Sequence, residues 1–198
     1  MKFVRTLLLA LSLLLITKPV TAWEVTDHSF KCIKHMKQVE NFYVDNLLGN
    51  LEGTLAVATA GQGVYPEGSV LQLMPNEVMV KRHAGFSPAT NDWEFFWIDL
   101  TKDGSVIYTR GAVEVNNRLN LNCFGCHVKA KPEFDFVCRK DHGCDPVGIR
   151  DGIWTALQNT DPRCPGSDVV SAEDQQALAE LGAIVEELTK SQQAPAQE

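Results

Sequence analysis

The stretch Trp93-Glu94-Phe95-Phe96-Trp97-Ile98-Asp99-Leu100 decides the fold. Alternation along a strand places Trp93, Phe95 and Trp97 on one pleat face, and Phe96, Ile98 and Leu100 on the other. A strand apolar on both sides belongs inside a sheet, with each face covered by a core, a helix or a bound group. Thr101-Lys102-Asp103-Gly104 follows, and Asp-Gly between apolar runs is a strong hairpin signal. The returning strand is expected over Ser105–Val115. Upstream, Ser69–Met74 and Val78–His83 are two further strand-like runs, separated by the turn residues Pro75-Asn76-Glu77. The centre of the chain therefore reads as an antiparallel sheet.

The flanks read as helix and loop. Across residues 26–50, Ile33, Met36, Val44, Leu47 and Leu48 recur at a rough three-to-four spacing, which predicts a helix capped by Asp27 and stopped by Gly49-Asn50. Leu51 to Gly63 fits either helix or loop. Residues 128–166 carry Pro132, Pro146, Pro162 and Pro165 and read as loop-rich. Ser171-Ala172-Glu173-Asp174 resembles a helix start. The following helix is expected to reach about Lys190, with Ala177, Leu178, Leu181, Ile184, Val185 and Leu188 on its apolar stripe. Ser191 to Glu198 is a polar, frayed tail by composition. The fold class expected is α+β: an antiparallel sheet with N- and C-terminal helices.

Working outward, the next signal is chemical. Cys123-Phe124-Gly125-Cys126-His127 is a C-x-x-C-H pentapeptide, the attachment pattern of a c-type haem. Two thiols two residues apart suit the two vinyl groups of one porphyrin edge. The adjacent histidine suits the proximal face of the iron, and a small Gly125 suits a tight turn between the thiols. A zinc half-site would want a second ligand pair at similar spacing. Cys138 and Cys144 lie too far apart in sequence for that, and no βαβ pattern supports a thioredoxin-like pair. The expected cofactor is one covalent haem c held by Cys123, Cys126 and His127.

The N-terminus suggests where such chemistry happens. Lys2 and Arg5 precede the apolar run Leu7–Ile16, and Val20-Thr21-Ala22 fits a small-residue cleavage site. Residues 1–22 thus read as a secretory signal peptide, too short in its apolar part to span a bilayer comfortably. The expected location is periplasmic, with residues 23–190 forming a single domain. Removing 1–22 takes away three cations and no acid, so the formal charge moves from −7 to −10. Acidity of that size argues against nucleic acid and permits steering toward a basic redox partner. The four remaining cysteines, Cys32, Cys138, Cys144 and Cys164, allow three pairings. Cys138–Cys144 and Cys32–Cys164 are the pairings favoured for an oxidising compartment.

Several central motifs together resemble a known family. They are Tyr65-Pro66-Glu67-Gly68-Ser69-Val70, Trp93-Glu94-Phe95-Phe96, Asp103-Gly104, and the pentapeptide followed by Ala130 and Asp135-Phe136-Val137. Their order is similar to that of the cytochrome P-460 family and its cytochrome c′-beta relatives, over about residues 60–140. The resemblance implies a largely antiparallel β fold, often a homodimer, with one haem c and an open iron site that handles nitric oxide, hydroxylamine or carbon monoxide. Enzymatic members carry a porphyrin-linking lysine shortly after the segment matched by Gly68-Ser69-Val70. Gln72 or Leu73 stands there in this chain, and Lys81 is the nearest substitute. That departure moves weight from oxidoreductase chemistry on small nitrogen compounds toward gas binding or electron transfer.

The sixth iron position has several candidates. His83 leads them, with Met79, Lys81, Met74, Met36, His28, His35 and His142 behind. Arg82 is a candidate propionate contact, because guanidinium matches carboxylate geometry. Phe95, Phe96 and Trp97 are candidates for an apolar lid. Three functions are carried forward: binding or conversion of a small nitrogen oxide or other diatomic, as the resemblance implies; electron transfer through six-coordinate haem; and a binding module in which haem is structural.

Overall fold

The computed structural model describes residues 23–117, 120–146 and 148–193. The expected signal peptide lies outside the described residues, as does the end of the polar tail. Six strands form one antiparallel sheet in sequence order: β1 (Lys37–Val39), β2 (Phe42–Asn46), β3 (Ser69–Gln72), β4 (Glu77–Lys81), β5 (Trp93–Thr101) and β6 (Gly104–Arg110). Among the described residues, four α-helices accompany it: α1 (Leu51–Ala60), α2 (Cys123–His127), α3 (Asp151–Asn159) and α4 (Ala172–Gln193). The architecture is α+β.

The two-faced strand behaves as its sequence predicts. Phe96, Ile98 and Leu100 enter one hydrophobic cluster, and Trp93, Phe95 and Trp97 enter another. The first cluster lies under an N-terminal strap that includes Val25, Phe30, Cys32, Ile33 and Met36. The second lies beneath α1, Tyr65, Val115, Val137 and the pentapeptide residues Cys123 and Phe124. Phe95, Phe96 and Ile98 are at most 2 % exposed, so the sheet is sealed on both sides at this point. The Asp103-Gly104 turn joins β5 to β6 as expected, with Gly104 at φ 144°, a conformation that favours glycine.

Residues 26–50 correct the helix expectation. They form two short 3-10 turns, Asp27–Ser29 and Ile33–His35, and the β1–β2 hairpin. The three-to-four spacing was outweighed by the local run Val39, Phe42, Tyr43 and Val44, which is rich in β-branched and aromatic residues. Tyr43 feeds one cluster, while Phe42 and Val44 feed the other, the alternation of a strand. Leu51–Ala60 resolves as helix, with Asn50 Oδ1 accepting from the Gly53 amide at 3.2 Å and Gly61 closing it at φ 72°.

Three other boundaries moved. The strand expected over Ser105–Val115 stops at Arg110, where Gly111 turns with φ 118°. The loop-rich reading of 128–166 misses α3, whose Ile153 and Ala156 are buried against α4 at Ala177. Gln158 of α3 ties this helical pair to the sheet by donating to the Asn41 and Leu73 carbonyls, both at 2.8 Å. Helix α4 starts at the expected Ser171 cap, which accepts from the Asp174 amide at 3.0 Å. It continues to Gln193, so the first residues of the expected frayed tail are helical. Among the described residues, no helix is long and apolar enough to cross a membrane.

Both favoured disulfides are present. Cys32–Cys164 joins the strap to the segment after α3, and Cys138–Cys144 closes a short loop beyond the pentapeptide.

Candidate haem-attachment site

The pentapeptide forms a single helical turn, α2, built on an asparagine. Asn122 is extended and its Oδ1 accepts from the Gly125 amide at 2.8 Å, an N-cap. Its Nδ2 donates to the Ala112 and Val115 carbonyls, both at 3.1 Å, which moors the turn to the chain leaving β6. The Cys123 amide adds a bond to Val115 oxygen at 3.1 Å. Gly125 is not left-handed here, and a methyl group on it would approach nothing closer than 3.4 Å. The turn therefore does not need glycine for its backbone. The N-cap role of Asn122 was legible from its type and position but was not read from the sequence.

The two pentapeptide thiols are the free ones among the described cysteines, since the other four are bridged. Cys123 packs against the second cluster, and burial pushes its thiol up to about 12, with the charges of Glu77 and Cys126 adding to the shift. It is a neutral thiol at ordinary pH.

His127 is held in one tautomer. Its Nδ1 lies 2.7 Å from the Phe136 carbonyl oxygen. A carbonyl only accepts, so the proton is assigned to Nδ1 and Nε2 keeps its lone pair. Burial lowers the pKa of the ring, which favours the neutral form that ligates metals. Aromatic rings complete the surroundings: His127 is edge-on to Phe95 at 5.4 Å, and Phe124 lies 5.9 Å from Phe95 and 5.7 Å from Phe136.

The structure separates several residues that the sequence grouped together. Arg82, the candidate propionate contact, is engaged by protein partners. Alternation sends it to the opposite pleat face from Phe95, where it is buried against Glu94 and donates to the Trp23 carbonyl at 3.0 Å. His83, the leading distal candidate, packs against a neighbouring ring. It lies past the end of β4 with its ring 5.8 Å from Phe86, which in turn stacks under Arg82. His28 and His35 are exposed, and Met36 belongs to the strap cluster. His142 is buried, with Nδ1 2.6 Å from the Val137 oxygen and its ring stacked on Phe134 at 3.7 Å. Phe96 also faces the strap and leaves the expected lid. Met79 stays on the pentapeptide side, opposite Phe95 in the register and in the same cluster as Cys123.

Lys81 also faces the pentapeptide side, but its ammonium is committed. It donates to both Asp135 carboxylate oxygens, at 2.8 and 2.9 Å, and to the Asn91 carbonyl at 2.6 Å. The residues fit covalent haem: two free thiols on one helical turn, a neutral imidazole with Nε2 left to ligate, and an apolar aromatic wall. No protein-family model, curated protein or solved structure matches this chain.

Proposed function

We propose that this chain is an exported c-type cytochrome of the cytochrome P-460 kind, with one haem bound through Cys123 and Cys126. His127 is its proximal iron ligand, and its activity is the binding or conversion of a small nitrogen oxide or other diatomic. The observation that carries the reading is the Nδ1–Phe136 hydrogen bond. Metal-ligating histidines characteristically donate their second ring N–H to a carbonyl or carboxylate, which fixes the tautomer and raises ligand basicity. Here that arrangement falls on the one histidine that ends a C-x-x-C-H turn. When bound, the haem supplies an iron that takes a diatomic on its free side. The chain's own residues hold the ring by two sulfurs, present Nε2 and surround the site with phenylalanine. The commitment of Lys81 to Asp135 argues against a lysine–porphyrin bond and supports gas binding over hydroxylamine oxidation.

Met79 favours a second reading. It is a thioether on the pentapeptide face, and a methionine axial ligand would give a six-coordinate electron carrier. A periplasmic redox partner then follows, approached through the acidic surface. Homodimer formation is part of the first reading.

Purified exported protein tests both readings. Haem that survives denaturation and acidic solvent extraction, and is lost in Cys123→Ala/Cys126→Ala, is the expected result. Extractable haem, or none, overturns the assignment. High-spin ferrous iron that binds nitric oxide supports the first function. Low-spin iron that turns high-spin in Met79→Ala supports the second.

A further inference from the structure

Asp135 is gripped by separate parts of the molecule. Its carboxylate accepts from Lys81 Nζ, from the Tyr65 amide at 2.8 Å and from Asn91 Nδ2. Its own carbonyl accepts from Trp93 Nε1 at 2.7 Å. Lys81 and Trp93 face each other across β4 and β5, so the grip originates in the sheet. Both members of the ion pair are shut off from water, at 6 % and 0 % side-chain exposure.

The backbone at this point is unusual. Asp135 has φ 49° and the next residue, Phe136, has φ 60°. Left-handed backbone crowds Cβ against the following carbonyl. Aspartate tolerates this, whereas a bulky aromatic residue seldom does. Two such residues in succession persist only where the surroundings over-determine them. Their consequence is local and specific: the carbonyl of the second residue meets His127 Nδ1.

We propose that the Lys81–Asp135 ion pair is a positioning device for the His127 imidazole. It holds residues 135 and 136 left-handed, aims the Phe136 carbonyl at Nδ1 and so leaves Nε2 facing outward as the ligand atom. An apolar residue at 135 would keep the backbone bond from Trp93 but gather none of the three carboxylate donors. Buried ion pairs are weak devices for stability, and a role in selecting one arrangement suits them better. The consequence for iron rests on the haem reading given above, whereas the consequence for the histidine tautomer does not.

Two variants of the full chain test this: Asp135→Asn, which removes the charge at nearly constant shape, and Asn91→Gly, which removes one donor at an exposed position of φ 50°. Nitrogen-15 NMR of the haem-free chain reads the His127 tautomer directly. The wild type is expected to show the Nδ1–H form alone, and the variants a mixture of both forms. In the haem-loaded protein, the iron–imidazole stretching band of the ferrous state is expected to fall in frequency, more for Asp135→Asn than for Asn91→Gly. Folded variants with an unchanged tautomer and an unchanged band overturn the inference. Should Asp135→Asn fail to fold, Asn91→Gly decides alone by the same criteria. A wild type without covalent haem would defeat the haem reading, and the NMR arm would still decide the positioning role.

Discussion

The two faces of the sheet both bury an ion pair, and the pairs do different work. Neighbouring residues Lys81 and Arg82 are sent to opposite faces by strand alternation. Arg82 meets Glu94, which sits on the adjacent strand and also takes Arg110 of β6 at 2.7 Å. That cluster staples framework to framework and pins the strap at Trp23. Lys81 instead reaches a loop residue, Asp135, whose neighbour holds His127. Buried charge alone therefore does not mark a site. The two pairs differ in what the partner is attached to: a strand on one face, and on the other a loop whose next carbonyl meets the His127 ring.

The comparison is broken most forcefully through the disulfides. Cys32–Cys164 spans 132 residues on the strap face. Removing it as Cys32→Ala/Cys164→Ala is expected to cost about 5 kcal/mol by the chain-entropy account, read by urea unfolding, with the His127 tautomer unchanged. A changed tautomer would show that the faces are coupled. Next in size, Glu94→Leu leaves the buried Arg82 without its counter-charge and is expected to cost about 3–5 kcal/mol. The same unfolding assay checks it, and a loss below about 1 kcal/mol would mean the staple is dispensable.

Cys138–Cys144 gives the contrasting case, with a sequence separation of 6. Cys138→Ala/Cys144→Ala is expected to cost only about 2 kcal/mol. It should nonetheless disturb the site, because Cys138 Sγ lies 3.8 Å from the Cys126 carbonyl. The check is faster alkylation of Cys123 and Cys126 in the haem-free chain. Equal rates would place this loop with the framework instead.

The smallest effect is a pH slope in the haem-free chain. The pKa of His127 is lowered in the fold, so below its ordinary value of about 6.5 the unfolded chain takes up a proton that the folded chain resists. Stability present above that pH is lost as pH falls through the range. Cys123 runs the other way. Its raised pKa means that stability is intact below about 9 and declines as pH climbs toward about 12. Unfolding midpoints measured across both ranges, with His127→Gln and Cys123→Ser as controls, check the two signs. Slopes that persist in the controls would assign them to other groups.

Legibility followed the range of the forces involved. The two-faced strand was readable because its period of two is a local property of successive residues. The pentapeptide was readable because its two thiols and its histidine lie within five consecutive residues. The hairpin at 37–46 was misread because a loose apolar spacing fits helix and strand alike, and burial on both faces was not visible locally. Helix α3 was missed because prolines on either side suggested loop, while its apolar face is defined by α4. The surroundings of Arg82 and His83 were hidden for a related reason. Strand parity was right for Arg82, but the residue types alone did not say which face the pentapeptide would cover.

By itself the sequence determined the sheet centre, the Asp103-Gly104 turn, and the Cys123/Cys126 spacing with its following histidine. Each of these rests on short-range chemistry or on counting. Only the tertiary structure decided which sheet face carries the pentapeptide and how the histidine is aimed. The Phe136 carbonyl points at His127 because Asp135 is gripped by a lysine 54 residues earlier in the chain. No local pattern encodes a backbone conformation that is stable only when such distant groups arrive together.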